Sequence, residues 1–438
     1  MKKALKITGV ALLAAVIVGC IYLNSLMPII TGYSAKNLAS AVFVSGRDAN
    51  DVEALDLNFS FIRFNRNAVD YDDKTVTSRF LWGKSTAVYR DGYGVTLLHG
   101  AEAGELRRQK FPLPYDTRPA EPLPLGDSAT RARMEPIAKA LVDDRAYNGH
   151  PFAFVVLHKG ELVAERYDKG VNRDMKLLSW SMAKSFTNAI VGIMVRDGIL
   201  DVYAPMDVPE WQNDERKNIT LNDLMQMQSG LKWNEDYGGR SDVNIMLHRE
   251  QDMGLYAIDK PLEYEPGTHW YYSSGTTNIV MRYARDKFAS SDDFVKYIQT
   301  ELFVPLGIRN GVFEQDISGT PLGSSYVYVT ATEFARFGQL YLDDGCVDSK
   351  RVLPERWIEY TSTPASDSKG DYGAFFWLNP NDYFPGGPKD MIFCQGHDGQ
   401  KIFIIPSKDV VIVILGYSPS PENEININGL LKDIIDNL

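Results

Sequence analysis

Ser181 and Lys184 stand three residues apart in the string Ser181-Met182-Ala183-Lys184. A helix-period apolar face follows at once (Met182, Phe186, Ile190, Ile193), which predicts that the pair heads a helix ending near Gly198. One helical turn brings residues i and i+3 side by side, so the Lys184 amine can reach the Ser181 hydroxyl. A serine hydroxyl is a weak nucleophile until something takes its proton. A lysine does this only if burial or a neighbouring cation depresses its pKa. A helix start also turns backbone N–H groups outward with partial positive charge, where a developing oxyanion is stabilised. The same spacing recurs at Ser229/Lys232 and Ser366/Lys369. Glycine sits inside the first of these and the second runs through a polar stretch into Gly370, so both read as structural.

Two more strings can converge on Ser181. Tyr272-Ser273-Ser274 follows Pro266-Gly267-Thr268, whose Pro-Gly pair marks a turn. Tyr272 is therefore expected on a loop ahead of a helix starting near Asn278. Gly396-His397-Asp398-Gly399-Gln400 leads into a strand, Lys401 to Ile405, and glycines beside a strand permit close approach of a ligand. No Cys/His cluster has metal spacing and there is no His-Glu-x-x-His, so a site without metal or cofactor is expected. Gly-x-Ser-x-Gly is absent, which removes the nucleophile elbow of α/β-hydrolases as the alternative.

The elements that must position these strings are legible in outline. Phe152 to Leu157 and Leu162 to Arg166 read as a hairpin through Lys159-Gly160. Residues 205–360 read as a mostly helical lobe, with helices expected at Leu221–Met227, Asn278–Phe288, Phe294–Phe303 and Ala331–Leu342. Strands return at Met391–Cys394, Lys401–Ile405 and Val410–Leu415, and a terminal helix covers Ile425–Asn437. This order predicts an α+β fold: one antiparallel sheet flanked by helices, with the helical lobe inserted between its two strand-forming segments. Helices at both ends, the first over Met134–Leu141, would cover the sheet faces.

Together the three strings, in this order, resemble the serine β-lactamase and penicillin-binding-protein superfamily. They are most similar to its class C β-lactamase-related serine hydrolases, which include family VIII esterases and 6-aminohexanoate-dimer hydrolases. The resemblance runs from about Pro151 to the C-terminus, supported by Met227-Gln228-Ser229-Gly230-Leu231 and Pro266-Gly267-Thr268. It implies Ser181 as nucleophile, Lys184 as its proton acceptor and Tyr272 as proton shuttle. It also implies an oxyanion hole of the Ser181 and Gln400 N–H groups, and hydrolysis of an amide or ester through an acyl-Ser181 intermediate. Ser274, His397, Gly399 and Tyr237 are the substrate-binding positions it suggests, Tyr237 from the string Asn234-Glu235-Asp236-Tyr237. Many members carry asparagine where Ser274 stands, and lysine-threonine-glycine where His397-Asp398-Gly399 stands. A histidine in place of that lysine weakens binding of a substrate carboxylate, which favours esters or amides of less anionic character. These departures also motivate a second reading, an acylation-only or non-catalytic sensor on the same fold.

The chain of 438 residues is 44% hydrophobic and 24% charged, ordinary globular composition. A net charge of −11 argues against nucleic acid as partner. Lys2, Lys3 and Lys6 precede an apolar run from Ile7 to about Ile30, so residues 1–30 read as a membrane anchor or signal segment, with the lysines cytoplasmic and the remainder outside the cytoplasm of a bacterial cell. Ile17-Val18-Gly19-Cys20 also resembles a lipoprotein processing site. Apolar residues continue past Cys20, which favours the anchor. Residues 31–130 form an N-terminal region of open role, with β-like runs at Phe59–Phe64 and Val95–Leu98 and a proline-rich linker at Pro112–Pro124. Residues 131–438 form the hydrolase domain. Three cysteines do not build a disulfide scaffold, although Cys346 and Cys394 could pair after export.

Overall fold

The computed structural model describes residues 2–114 and 121–438; part of the expected linker, residues 115–120, lies outside the described residues, as do the side chains of Lys2, Lys3 and Lys6. Its centre is a six-stranded antiparallel sheet. The order across it is 377–378, 392–395, 401–405, 410–416, 151–158, 161–167. Two segments far apart in sequence meet in the middle, where Val413 pairs with Val155. Lys159 (φ +54°) and Gly160 (φ +74°) close the hairpin with the double positive φ of a tight two-residue turn.

The central strand Val410–Gly416 is apolar without alternation because both faces are covered. Val411, Val413 and Leu415 face the Ala183–Arg196 helix and the helical lobe. Val410, Ile412 and Ile414 face the helices Ser128–Val142 and Ile427–Asp436. Full burial of each such side chain stabilises the fold by about 1.5–3 kcal/mol. The lobe contains Ala331–Leu342 as expected. The helix expected near Asn278 starts four residues earlier, at Ser274, because the Ser273 hydroxyl caps it by accepting from Thr276 N at 3.0 Å.

The N-terminal region departs most from expectation. Its helix does not stop near Ile30 but runs from Lys2 to Phe43. From Met27 onward it is buried against a four-stranded antiparallel sheet formed by residues 66–97. Phe59–Phe64 is not a strand; it ends in a 3-10 turn at Ile62–Phe64. The same helix also reaches the body that holds the six-stranded sheet and the helical lobe. Lys36 Nζ makes a fully buried ion pair with Glu314, which also accepts from Ser40 Oγ at 2.9 Å and from Val95 N at 2.7 Å. Cys346 and Cys394 are both free: Cys394 is buried within the sheet while Cys346 is half-buried in a separate two-stranded hairpin.

Candidate active site

The Ala183–Arg196 helix is fixed by a buried carboxamide. Asn188 accepts from Tyr341 OH at 2.6 Å and Trp357 Nε1 at 2.8 Å, and donates to Ala374 O at 2.8 Å. Ser181 sits just ahead of it, in a single 3-10 turn, Trp180–Met182. Trp180 adopts φ +43°, a left-handed conformation that costs a bulky residue about 1–3 kcal/mol. Its indole is held by Tyr33 stacked at 6.4 Å, Tyr326 at 5.9 Å and His397 edge-on at 5.5 Å.

Lys184 lies beneath Ser181 and is 1% exposed. Its Nζ is 3.1 Å from Ser181 Oγ, 3.0 Å from Ser274 Oγ and 3.0 Å from Ser324 O. Burial lowers its pKa to about 8, with the charge of Glu235 opposing the shift. A lysine there is neutral in about one molecule in ten at pH 7 and can then accept the Ser181 proton.

Tyr272 arrives on a clamped loop. Gly267 N donates to Gln228 O at 2.8 Å and Tyr271 N donates to Met227 O at 2.9 Å, so the Met227–Leu231 string holds the loop in place. Gly230 (φ +72°) is required there, since a Cβ would stand 2.1 Å from Tyr264 O. The Tyr272 ring stacks on Trp377 at 5.7 Å and its centroid is 4.8 Å from Lys184 Nζ. Burial raises the phenol pKa, partly opposed by the neighbouring Ser181 hydroxyl, so Tyr272 stays protonated at neutral pH.

Behind the trio stands a carboxylate that motif spacing did not reveal. Glu235 Oε2 accepts from Ser274 N at 2.9 Å and from Trp233 Nε1, and Oε1 accepts from the Ser274 hydroxyl and from Tyr237 OH at 3.1 Å. A carboxylate in the same short string as Tyr237 was the available signal. Ser274 thus links Lys184 to Glu235.

Ser181, Tyr237, Tyr272, His397 and Gly399 line one cleft of about 390 Å³. The Tyr237 and His397 rings stack at 5.4 Å across its mouth. Gly396 lets this wall approach the Trp180–Met182 turn, because a Cβ there would stand 2.4 Å from Ser179 O. Gln400, expected to offer its backbone N–H to the cleft, follows this wall. Asp398 (φ +56°) turns the backbone, and the Gln400 N–H points back to His397 O at 3.5 Å. The Gln400 carboxamide is tied to Gly416, donating to its O at 2.6 Å and accepting from its N at 2.9 Å. Gln400 lines a small separate cavity behind the cleft. Among the described residues no acceptor meets the backbone N–H of Ser181 or of His397.

The beta-lactamase family model matches residues 136–432, which span the sheet, the lobe and every residue of the cleft. The chain belongs to the beta-lactamase family. A 6-aminohexanoate-dimer hydrolase of Paenarthrobacter ureafaciens is 25% identical over 344 residues, covering 72% of this chain and 83% of that protein. Two solved structures share the fold. A family VIII carboxylesterase superposes with a TM-score of 0.55 at 15% identity, over 72% of this chain and 99% of its own. A penicillin-binding-protein homologue from Caulobacter crescentus superposes with a TM-score of 0.55 at 14% identity, over 72% and 99%. Hydrolases thus recur among the relatives of this beta-lactamase-family chain. The matched region begins after the N-terminal helix and its sheet.

Proposed function

We propose that this protein is a serine hydrolase that cleaves an amide or ester through an acyl-Ser181 intermediate. The observation that carries this reading is the 3.1 Å contact between Ser181 Oγ and a buried Lys184 Nζ whose pKa burial lowers to about 8. Neutral Lys184 takes the Ser181 proton as the hydroxyl attacks the carbonyl carbon. The tetrahedral oxyanion is met by the N–H of Ser181 and, in place of Gln400, by the N–H of His397. Preorganised donors of this kind are worth about a hundredfold or more in rate each. Tyr272 carries the proton from Lys184 to the leaving group, and the acyl ester is then released by water. Ser274 and Glu235 hold Lys184 in register, while Tyr237, His397 and Gly399 contact the substrate.

The N-terminal helix supports a membrane location. Ile7 to Leu23 includes a row of exposed apolar side chains, Leu12 at 68% and Ile21 at 66%. That stretch is about 25 Å long at 1.5 Å per residue, close to the thickness of a bilayer core. With the lysines at residues 2, 3 and 6 cytoplasmic, the hydrolase body lies on the extracytoplasmic side.

The test is covalent labelling of the detergent-solubilised protein with a fluorophosphonate, together with turnover of p-nitrophenyl esters and small linear amides. The expected result is labelling and turnover, both lost in Ser181→Ala. Equal labelling of Ser181→Ala would overturn the assignment. Labelling without turnover would favour the acylation-only sensor.

A further inference from the structure

The exposed apolar stretch of the N-terminal helix ends at Leu23, and at the next residue the N-terminal sheet touches the helix. Trp82 Nε1 donates to Asn24 Oδ1 at 3.0 Å, and a Cβ on Gly83 would stand 2.8 Å from Met27 Cβ. Leu81 and Trp82 form the two-residue turn between the strands Thr75–Phe80 and Gly83–Arg90. Both are more than half exposed, as are Phe61 and Phe64. The Phe61 ring lies 6.3 Å from Phe80, and Asn65, next to Phe64, donates to Ile30 O at 3.3 Å. Four large apolar side chains thus stand uncovered beside the end of a bilayer-length apolar helix.

Charge is segregated on the same sheet. Arg66 pairs across the strands with Arg79, and Arg79 with Lys84. Directly opposed residues point to one face with Cβ atoms about 5 Å apart. The three cations therefore form a row on the face that the helix leaves open, since the alternate positions Val76 and Ala87 pack under the helix. Arg63 in the Ile62–Phe64 turn adds a fourth, and all four are exposed. Among the described residues none of the four has a carboxylate within ion-pair reach. Asp70, Asp72, Asp73 and Asp91 lie at the opposite end of these strands, where Asp91 pairs with Lys74 and Asp73 with Arg107. Like charges directly opposed in a sheet destabilise it. In a chain of net charge −11 such a row is not a by-product of basic composition.

We propose that this end of the N-terminal sheet is a membrane-surface patch selective for anionic phospholipids. Arg63, Arg66, Arg79 and Lys84 meet the lipid phosphates of the leaflet next to the hydrolase body. Leu81, Trp82, Phe61 and Phe64 enter its interfacial layer, where tryptophan is favoured. Each Lys or Arg near an anionic surface strengthens attraction about fivefold, and salt screens it. The patch rests on the membrane reading of the N-terminal helix and adds to it a lipid preference and a fixed orientation of the sheet. Its hold is reversible, so the helix remains the anchor.

The test uses the full-length protein in nanodiscs of phosphatidylcholine with about one-third phosphatidylglycerol. The acyl chains of either one lipid or the other are brominated near the headgroup end, and bromine quenches indole fluorescence on contact. The Trp82 signal is isolated by difference from Trp82→Phe. The expected result is quenching of Trp82 with a preference for phosphatidylglycerol of about fivefold or more, lost at high salt. That preference should fall to near unity in the triple variant Arg66→Gln/Arg79→Gln/Lys84→Gln and persist in Arg66→Lys/Arg79→Lys. The triple variant should resist denaturant at least as well as the unaltered protein in detergent, because it removes opposed like charges. Trp82 unquenched by either lipid, no preference in the unaltered protein, or the same preference in the triple variant overturns the patch while leaving the anchor intact. Failure of the full-length protein to enter nanodiscs overturns the anchor and the patch together.

Discussion

The Ser274 hydroxyl accepts a hydrogen bond from Lys184 Nζ at 3.0 Å and donates its own proton to Glu235. A carboxylate from a loop 39 residues away thus reaches Lys184 through one serine hydroxyl. Glu235→Gln removes a charge that supports the protonated form of Lys184. The Lys184 pKa should fall, so the acidic limb of the kcat/KM–pH profile should move to lower pH. The weakened bond to Ser274 should lower kcat by about 10- to 100-fold. A limb that stays in place or moves upward would show that Glu235 does not act through Lys184.

The reaction itself should titrate with Lys184. Its pKa in the folded protein lies below that of a free lysine, at about 8. The unprotonated amine is the active form, so acylation should accelerate about tenfold per pH unit below pH 7 and level off above about pH 8. Fluorophosphonate labelling rates across pH 5–10 check this. Lys184→Met should abolish the limb and leave only a slow, pH-flat reaction.

Gly396→Ala should damage catalysis more than binding. The added Cβ would stand 2.4 Å from Ser179 O, a contact that only backbone movement relieves. That movement should displace the adjacent His397 N–H, the proposed second oxyanion donor. A fall in kcat of about a hundredfold, with KM changed little, is expected from steady-state kinetics. An active variant within about threefold of the unaltered protein would remove His397 N–H as the second oxyanion donor.

The N-terminal helix has two parts with different surroundings, an exposed apolar stretch up to Leu23 and a buried one from Met27. Deleting residues 2–23 removes exposed apolar side chains, so the shortened protein should stay folded and move from the membrane fraction to the soluble one. Full-length protein found soluble without detergent would remove the anchor. Deleting through residue 43 takes away the core of the N-terminal sheet and the buried partner of Glu314. Lys36→Met isolates the latter effect and should cost about 3–5 kcal/mol in denaturant unfolding, because it leaves a carboxylate buried without its cation.

Local signals carried much of this protein in its sequence. The Lys159-Gly160 turn, the unbroken apolar run Val410–Leu415 and the capped helix Ala331–Leu342 are each written in a few adjacent residues, and they fix an antiparallel sheet with helices on both faces. The Ser181–Lys184 pair is equally local, since one helical turn sets its spacing. Tyr272 needed only the Pro-Gly turn ahead of it. What local signals did not carry was the detailed partnering of side chains brought together from distant segments. Glu235 carries no spacing signal, because its role arises when a loop folds back on Ser274. The left-handed conformation of Asp398 in the third motif, which turns the backbone between His397 and Gln400, is likewise not written in the motif's spacing. Hydropathy could not divide the N-terminal helix, since an apolar stretch reads alike whether lipid or protein covers it; the packing of Met27–Val42 against the sheet decides that.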